Sequence, residues 1–369
     1  MAELGISTLL VCLQLILCLL SLGVDAFQSP PDTYTARSIL YSTGNSPTSI
    51  DACPFSKKFP KYRIDLSRSN GNKKNEKPSW VPFLGDVQKS MDRGKLEQQF
   101  PQAVDWMDPE AAGISVFTRL WKSAVNLCDE AESTQRIIIG VSDAHHCGIA
   151  EDWVDILNWM QNEEALAPYR EISLLATIHK EGQLVAVEIT RQGGLSSAIT
   201  SSDAAYDPKT LNRRTQAWVK RILVDQGICP FTKSVKVSGQ GLGDLGIPVA
   251  KIHYCSSNAS CLQICRLMAD TWEEIAFMLE MGPSGKDGIS SILLAAPEYD
   301  NNFDLWSGPI FAMLETGVVA CRLQKQVGVV CFHPMYATPD GSSFPGFGHM
   351  HSGGPVGSRR RTSYHGRAV

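Results

Sequence analysis

The stretch that decides the fold is residues 207–237, DPKTLNRRTQAWVKRILVDQGICPFTKSVKV. Its first part predicts one amphipathic helix, with apolar residues at helical spacing and most basic residues on the other side. Asp207 is a suitable N-cap, and Pro208 suits the first helical position because its missing N–H costs nothing there. Gly227 is expected to end the helix in a left-handed conformation, and Pro230 prevents its continuation. Cys229 is therefore predicted to follow directly on a rigid element.

The bulk composition defines the broad class of the protein. At 369 residues and 43% hydrophobic content, the chain can form one large domain or two moderate ones. The net charge of −4 gives no basic field, so we predict no nucleic-acid partner. The 11 cysteines are irregularly spaced, which favours mostly reduced thiols over a disulfide framework.

The N-terminus reads as a targeting leader. Residues 9–24, LLVCLQLILCLLSLGV, form an apolar run that is short for a membrane span and suits a signal-peptide core. Val24 and Ala26 fit the small-residue rule, which predicts a signal peptide over residues 1–26 and no membrane segment after its removal. Phe27 would then be the first residue of a Ser/Thr-rich segment, which resembles the plastid-targeting leaders of algae with secondary plastids. We therefore expect a plastid protein, with secretion or the ER lumen as the alternative.

The rest of the chain divides by composition. Residues 27–104, which include SRSNGNKKNEKPS, are predicted to be a transit peptide and a largely disordered linker. Residues 105–200 predict helices at about 114–131 and 150–164, a strand at Arg136–Val141 and a hairpin centred on Gly182. This α/β segment is expected to pack on the one that follows.

Residues 207–351 repeat helix and strand more regularly. Strands are predicted at about 247–255, 288–296 and 327–332, and helices at about 259–281 and 302–317. This alternation predicts an α/β or α+β fold, in which helices pack on a mixed sheet. Residues 352–369 have no periodicity and predict a disordered tail.

Three separated motifs carry a family resemblance: AWVKRILVDQGICPFTKSVKV (217–237), SILLAAPEYDNNF (291–303) and QVGVVCFHPMYA (326–337). Over residues 211–351 the chain resembles the domain of unknown function 1415 family of bacteria and algae. The resemblance implies a helix leading to a Cys-Pro-Phe turn and a later strand ending in Phe-His-Pro, but no assigned reaction. Relatives continue to a Ser-Pro-Tyr-Pro segment and a further helix. Here Ser343-Phe344-Pro345 and His349 stand in that place, and the helix is missing.

Cys229 and His333 are the candidate site residues, because each ends a predicted element beside a proline. In one interpretation Cys229 is a thiol nucleophile and His333 its base. In another, both bind zinc together with His349 and His351. In the third, Cys229 is a small buried hydrophobe and His333 caps a strand.

Two weaker signals involve further Cys and His residues. His253 and Cys255 share one face of a strand, as do Cys331 and His333, so neighbouring strands would make a second cluster, and a packed core is the alternative. Residues 143–147, DAHHC, follow a buried strand and contain metal-binding residue types.

The leading functional hypothesis is a small-molecule enzyme of unknown reaction with a site between Cys229 and His333. The alternatives are a zinc-binding protein, a thiol transferase, and a non-catalytic plastid interaction module. The sequence Cys-Pro-Phe-Thr is similar to glutaredoxin-type sites, but there the cysteine opens a helix, whereas Cys229 closes one. The sequence predicts neither a definite cofactor nor an oligomeric state.

Overall fold

The structure is a computed structural model. It describes residues 13–18, 81–100, 102–129, 135–169, 173–193, 207–227, 232–240, 248–299, 302–324, 326–333 and 348–351. The predicted linker up to residue 80, the Cys-Pro-Phe turn at 229–231 and the predicted tail at 352–369 lie outside these residues.

The first half of the fold is built on a four-stranded mixed sheet with the order β2-β3-β5-β4. Its strands are β2 (Asp105–Trp106), β3 (Arg136–Val141), β4 (Leu174–Glu181) and β5 (Leu184–Arg191). β2 and β3 are parallel, whereas β5 runs antiparallel to both β3 and β4. Gly182, with φ +59, makes the tight turn between β4 and β5.

Helices cover both faces of this sheet. They are α1 (Val81–Gln98), α2 (Gly113–Asp129) and α3 (Ala144–Asn162), and a 3-10 helix at Glu164–Tyr169 follows α3. α1 contributes Leu96 to a small cluster with Ile138, Leu184 and Ala186 on one face. The opposite face belongs to the main core, which it shares with α2 and α3.

The second half is built on a six-stranded mixed sheet with the order β10-β9-β1-β8-β7-β6. Its strands are β1 (Leu13–Cys18), β6 (Val237–Ser238), β7 (Ala250–Ser256), β8 (Ile289–Ala295), β9 (Val327–His333) and β10 (Gly348–His351). The four inner strands are parallel, and β6 and β10 are antiparallel edges. All seven residues of β8 are buried, as expected for an inner strand of a covered parallel sheet.

The helices of this half lie on its two faces. They are α4 (Pro208–Trp218), which continues as a π-helix over Val219–Val224, α5 (Ile264–Met281), α6 (Phe303–Leu305), a π-helix over Trp306–Ile310, and α7 (Phe311–Ala320). α4 and its π-helical extension pack Trp218 and Leu223 against Leu293 and Phe332 on one face. α5 and α7 cover the other face as part of the main core.

The start of α4 and the end of its π-helical extension follow from local chemistry. The Asp207 side chain accepts a hydrogen bond from Thr210 N at 3.0 Å, which caps the first turn. Gly227 has φ +63, and its N–H donates to Val224 O at 3.1 Å. The predicted cap and the predicted left-handed stop are both confirmed.

The two halves share one hydrophobic core. α2 packs on α5 and α3 packs on α7, so a double layer of helices separates the two sheets. At its centre the Phe117 ring lies 4.7 Å from the Trp272 ring, and Trp121 lies 5.4 Å from Trp153. Two ion pairs, Lys122–Glu273 at 2.7 Å and Arg266–Asp129, add polar contacts between α2 and α5.

The fold class is confirmed: mixed sheets are covered by helices. The structure differs from the sequence expectation at several elements. α1 lies within the predicted linker 27–104, and its Leu96 packs in a cluster with residues of β3 and β5. α3 begins at Ala144 rather than near residue 150, because Asp143 caps it there. α5 begins at Ile264 rather than near residue 259, because a loop at 257–260 and a turn at 261–262 precede it. β1 lies within the predicted signal-peptide core, and the signal peptide stays a prediction.

Two glycines in helices allow a test of the packing, because an added methyl group should have opposite effects on stability at the two positions. A Cβ atom at Gly317 in α7 would clash with the buried indole of Trp272, whereas a Cβ at Gly148 in α3 meets nothing within 4 Å. We expect Gly317→Ala to lower the free energy of unfolding by about 1–3 kcal/mol, as overpacking does. Gly148→Ala should raise it by up to about 1 kcal/mol, because alanine favours helix. Urea denaturation of both variants measures this, and a stabilised Gly317→Ala would contradict the packing described.

Candidate functional site

His333 is the last residue of β9 and is 2% exposed. The strand register brings the carboxyl ends of the inner strands to one level, since Cys18 pairs with both Ala295 and Phe332, and Ser256 pairs with Ala295. His333 therefore lies at the carboxyl edge of the parallel strands. This edge is where ligands bind in open α/β sheets.

The main chain after β8 positions the imidazole. Tyr299, in a 3-10 turn at Pro297–Tyr299, has its carbonyl oxygen 3.4 Å from His333 Nε2. The Phe303 ring centroid lies 5.0 Å from that of His333. Because a carbonyl oxygen only accepts hydrogen bonds, this contact favours the tautomer with a proton on Nε2 and the lone pair on Nδ1. Burial lowers the pKa of His333, so the ring is neutral at pH 7.

A polar network ties the first half of the chain to this edge. Tyr169 Oη donates to Asn302 Oδ1 at 3.2 Å, and Asn302 Nδ2 donates to Cys261 Sγ at 3.0 Å. The Cys261 thiol in turn donates to the Glu298 carbonyl oxygen at 2.7 Å. Burial raises the pKa of Cys261 to about 11, so this thiol is protonated at neutral pH and acts as a structural hydrogen-bonding group.

Cys229 lies outside the described residues, but the segments on both sides of it are placed. Gly227 ends the helical segment, and the chain resumes at Thr232, which is 1% exposed. Trp218 of α4 lies 5.3 Å, ring to ring, from Phe332 of β9. The helix that leads to Cys229 thus packs beside the residue that precedes His333. Whether the thiol and the imidazole meet stays a prediction.

The proposed zinc ligands His349 and His351 lie in β10, which pairs with β9. In the strand register, His349 pairs with Phe332 and His351 pairs with Val330. His333 itself pairs with Gly348. β10 is therefore the strand beside His333, but both histidines pair with positions of β9 that face the opposite side of the sheet from His333. A zinc set that includes Cys229 stays a prediction.

The predicted combination of His253 and Cys255 with Cys331 and His333 does not form, because β1 and β8 separate β7 from β9. His253 and Cys255 instead meet Glu274 of α5, and their three ligand atoms all lie within 4.8 Å of one another. The sequence reasoning missed Glu274. Helical spacing could have placed it on the sheet-facing side of α5, but only the packing shows which strand it meets.

The DAHHC segment at 143–147 is a helix start. Asp143 Oδ1 accepts hydrogen bonds from the main-chain nitrogens of His145 at 2.8 Å and His146 at 3.2 Å. Cys147 is buried, and burial raises the pKa of its thiol to about 11. These contacts explain Asp143 by capping of α3.

Comparison with known proteins bears on the second half of the chain. Residues 210–344 match the protein family described as Protein of unknown function (DUF1415). The resemblance predicted from three motifs is confirmed. The DUF1415 region runs from α4 past β9, so it includes both Cys229 and His333, and it leaves the first sheet outside. No curated protein and no solved structure matches the chain.

Among the described residues, no helix combines the length and the apolar character that a membrane crossing requires.

The buried imidazole of the DUF1415 region predicts a pH-dependent stability. The pKa of His333 is lowered from 6.5 in the folded state, so the unfolded chain takes up its proton at a higher pH. The contribution of neutral His333 to stability is complete above pH 6.5 and declines as pH falls toward the lowered pKa, by at most about 1.4 kcal/mol per pH unit.

The His333→Gln variant lacks this proton uptake. Its deficit in free energy of unfolding relative to wild type should therefore shrink between pH 7.5 and pH 5, as measured by urea denaturation. The control is His145→Gln, which replaces an exposed histidine. A deficit that stays constant over this range would show that His333 is not a buried neutral group.

Proposed function

We propose that the chain is a small-molecule enzyme in which Cys229 is the nucleophile and His333 is its general base. The observation that carries the proposal is the position of His333, a buried and neutral imidazole at the carboxyl edge of the parallel strands. A neutral imidazole can accept a thiol proton, which makes it a suitable activating base.

The path of the chain sets a requirement for this pairing. Cys229 follows Gly227 by two residues, so it lies within about 7 Å of chain length from the end of the helix. Trp218 of that helix contacts Phe332, the immediate neighbour of His333. Phe332 and His333 alternate along β9, so they face opposite sides of the sheet. The proposal therefore requires the loop at 228–231 to cross the carboxyl edge of the sheet.

The chemistry assigns one role to each nitrogen of His333. Nε2 donates to the Tyr299 carbonyl oxygen and orients the ring, so Nδ1 is the nitrogen that takes the Cys229 proton. The sulfur then uses its electron pair to form a bond to an electrophilic carbon of the substrate. The bond from that carbon to its leaving group breaks, and the leaving group takes the bonding electron pair and the proton held on Nδ1. Two of the described thiols, Cys147 and Cys261, are poor nucleophiles at neutral pH, because burial raises the pKa of each to about 11.

Alkylation kinetics test the pairing. With iodoacetamide at pH 7 and peptide mass mapping of each site, Cys229 should react much faster than Cys147 and Cys261. Replacing His333 by glutamine should slow the reaction at Cys229 by at least about 10-fold, since the variant lacks the neutral imidazole that takes the thiol proton.

His145→Gln, which changes an exposed histidine far along the chain, is the matched control and should leave the rate at Cys229 unchanged. The pairing would be excluded if Cys229 reacted no faster than the buried thiols, or if His333→Gln reacted as quickly as wild type. A folded His333→Gln protein, verified by circular dichroism, is required for either conclusion.

For location, we propose plastid import through the leader at residues 1–26 and the Ser/Thr-rich segment that begins at Phe27. Cleavage after Ala26 would remove β1 from the sheet, so the mature protein would keep β7, β8 and β9 and both candidate sites. The support is the small-residue cleavage pattern at Val24 and Ala26 and the aromatic residue that follows it. A fluorescent protein fused to residues 1–60 should accumulate in the plastid of an alga with secondary plastids. The same fusion with Phe27→Ala should enter the secretory pathway. Finding the unchanged fusion only outside the cell would refute plastid import.

A further inference from the structure

A second group of metal-binding side chains lies away from His333, between β7 and α5. His253 and Cys255 are two residues apart on β7, so they project from the same face of the strand. α5 packs on that face, and its Glu274 reaches both residues. His253 Nε2 lies 3.1 Å from Glu274 Oε2. The Cys255 thiol donates to the Leu293 carbonyl oxygen at 3.7 Å, and its sulfur lies within 4.8 Å of the Glu274 carboxylate.

We propose that His253, Cys255 and Glu274 form a zinc-binding site in which water completes a tetrahedral coordination sphere. Imidazole, thiolate and carboxylate are all zinc ligands, and three protein ligands with one open position is an established arrangement for this metal. This site is independent of the proposed Cys229 and His333 chemistry.

The geometry suits the small radius of zinc. Zinc–ligand bonds of about 2.0–2.3 Å place the donor atoms of a tetrahedron roughly 3–4 Å apart. The three donor atoms here lie within 4.8 Å of one another, so small side-chain rotations bring them to a common centre. Thiolate and carboxylate together balance the charge of Zn²⁺, and the thiol proton of Cys255 passes to solvent when the metal binds.

The surroundings leave one side of the site open to solvent. Cys255 is 8% exposed, but the side chains of His253 and Glu274 are 34% and 26% exposed, which gives a metal ion and a water molecule access. Phe277, one turn after Glu274 on α5, has its ring centroid 5.3 Å from that of His253 and holds the imidazole in place.

A histidine–glutamate contact elsewhere in the fold provides an internal comparison. His179 Nε2 lies 2.8 Å from Glu188 Oε2, with similar exposure, but Arg136 donates to Glu188 at 2.9 Å. Among the described residues, only the His253 group combines three metal-ligating residues at this spacing. The thiol of Cys255 is what distinguishes the proposed zinc site from a simple ion pair.

Metal titration of the full chain tests the site. Chelator-treated protein is titrated with Zn²⁺ against a chromophoric competitor. The His253→Gln and Glu274→Gln variants should each lower the affinity for one equivalent of zinc by more than about 10- to 100-fold. Removing even a hydrogen-bond partner of a zinc ligand typically costs this much affinity. His179→Gln, the matched control, should bind as wild type does.

Cobalt provides a direct readout of the sulfur ligand. Co²⁺ bound in place of zinc should give a sulfur-to-metal charge-transfer absorption that disappears in Cys255→Ala and persists in Cys229→Ser. Thermal unfolding without metal shows whether each variant is folded. Among these variants, His253→Gln should disturb folding least, because the His253 side chain is partly exposed.

Three outcomes would overturn the zinc proposal. The first is that the wild-type protein binds no zinc. His253 and Glu274 would then form only an ion pair beside the buried Cys255. The second is unchanged binding in folded His253→Gln and Glu274→Gln. The third is a cobalt band that is lost in Cys229→Ser but kept in Cys255→Ala, which would move the metal to the Cys229 region.

Discussion

The packing of Trp272 is the contact on which the rest of the structure depends. Its indole lies 4.7 Å from the Phe117 ring and against Gly317, and its carbonyl oxygen accepts a hydrogen bond from Thr118 Oγ1 at 3.2 Å. α2, α5 and α7 therefore meet at one side chain. Because this joint connects the helices of both sheets, the two halves share a single core and are expected to unfold together.

The same layering fixes where chemistry can occur. Helices cover both faces of the second sheet, so polar side chains reach solvent mainly at its edges or through gaps between helix and strand. His333 lies at the carboxyl edge, and the His253 group lies in a gap between β7 and α5. The two places are on different strands, with β8 and, before the leader is removed, β1 between them, so they can serve separate purposes.

Sequence patterns predicted the buried strands well, because a run such as Arg136–Val141 or Val327–His333 has few ways to bury its side chains. They predicted α4 well because its cap and its terminal glycine act within a few residues. They failed at α1, which is stabilised by contacts such as the Lys95–Glu181 ion pair at 2.8 Å with a distant strand. They also failed to place Glu274, whose partners precede it by about 20 residues and lie on another element.

By itself, the sequence determined the alternation of helices and strands, the start and end of α4, the DUF1415 resemblance and the choice of His333 as a residue of interest. These features depend on local hydrogen bonds and on the spacing of apolar residues. Only the tertiary structure decided that β1 and β8 separate β7 from β9, and that Glu274 joins His253 and Cys255. The order of the strands and the contacts between distant side chains arise from packing between segments that are far apart in sequence. No local pattern encodes which segments will contact each other.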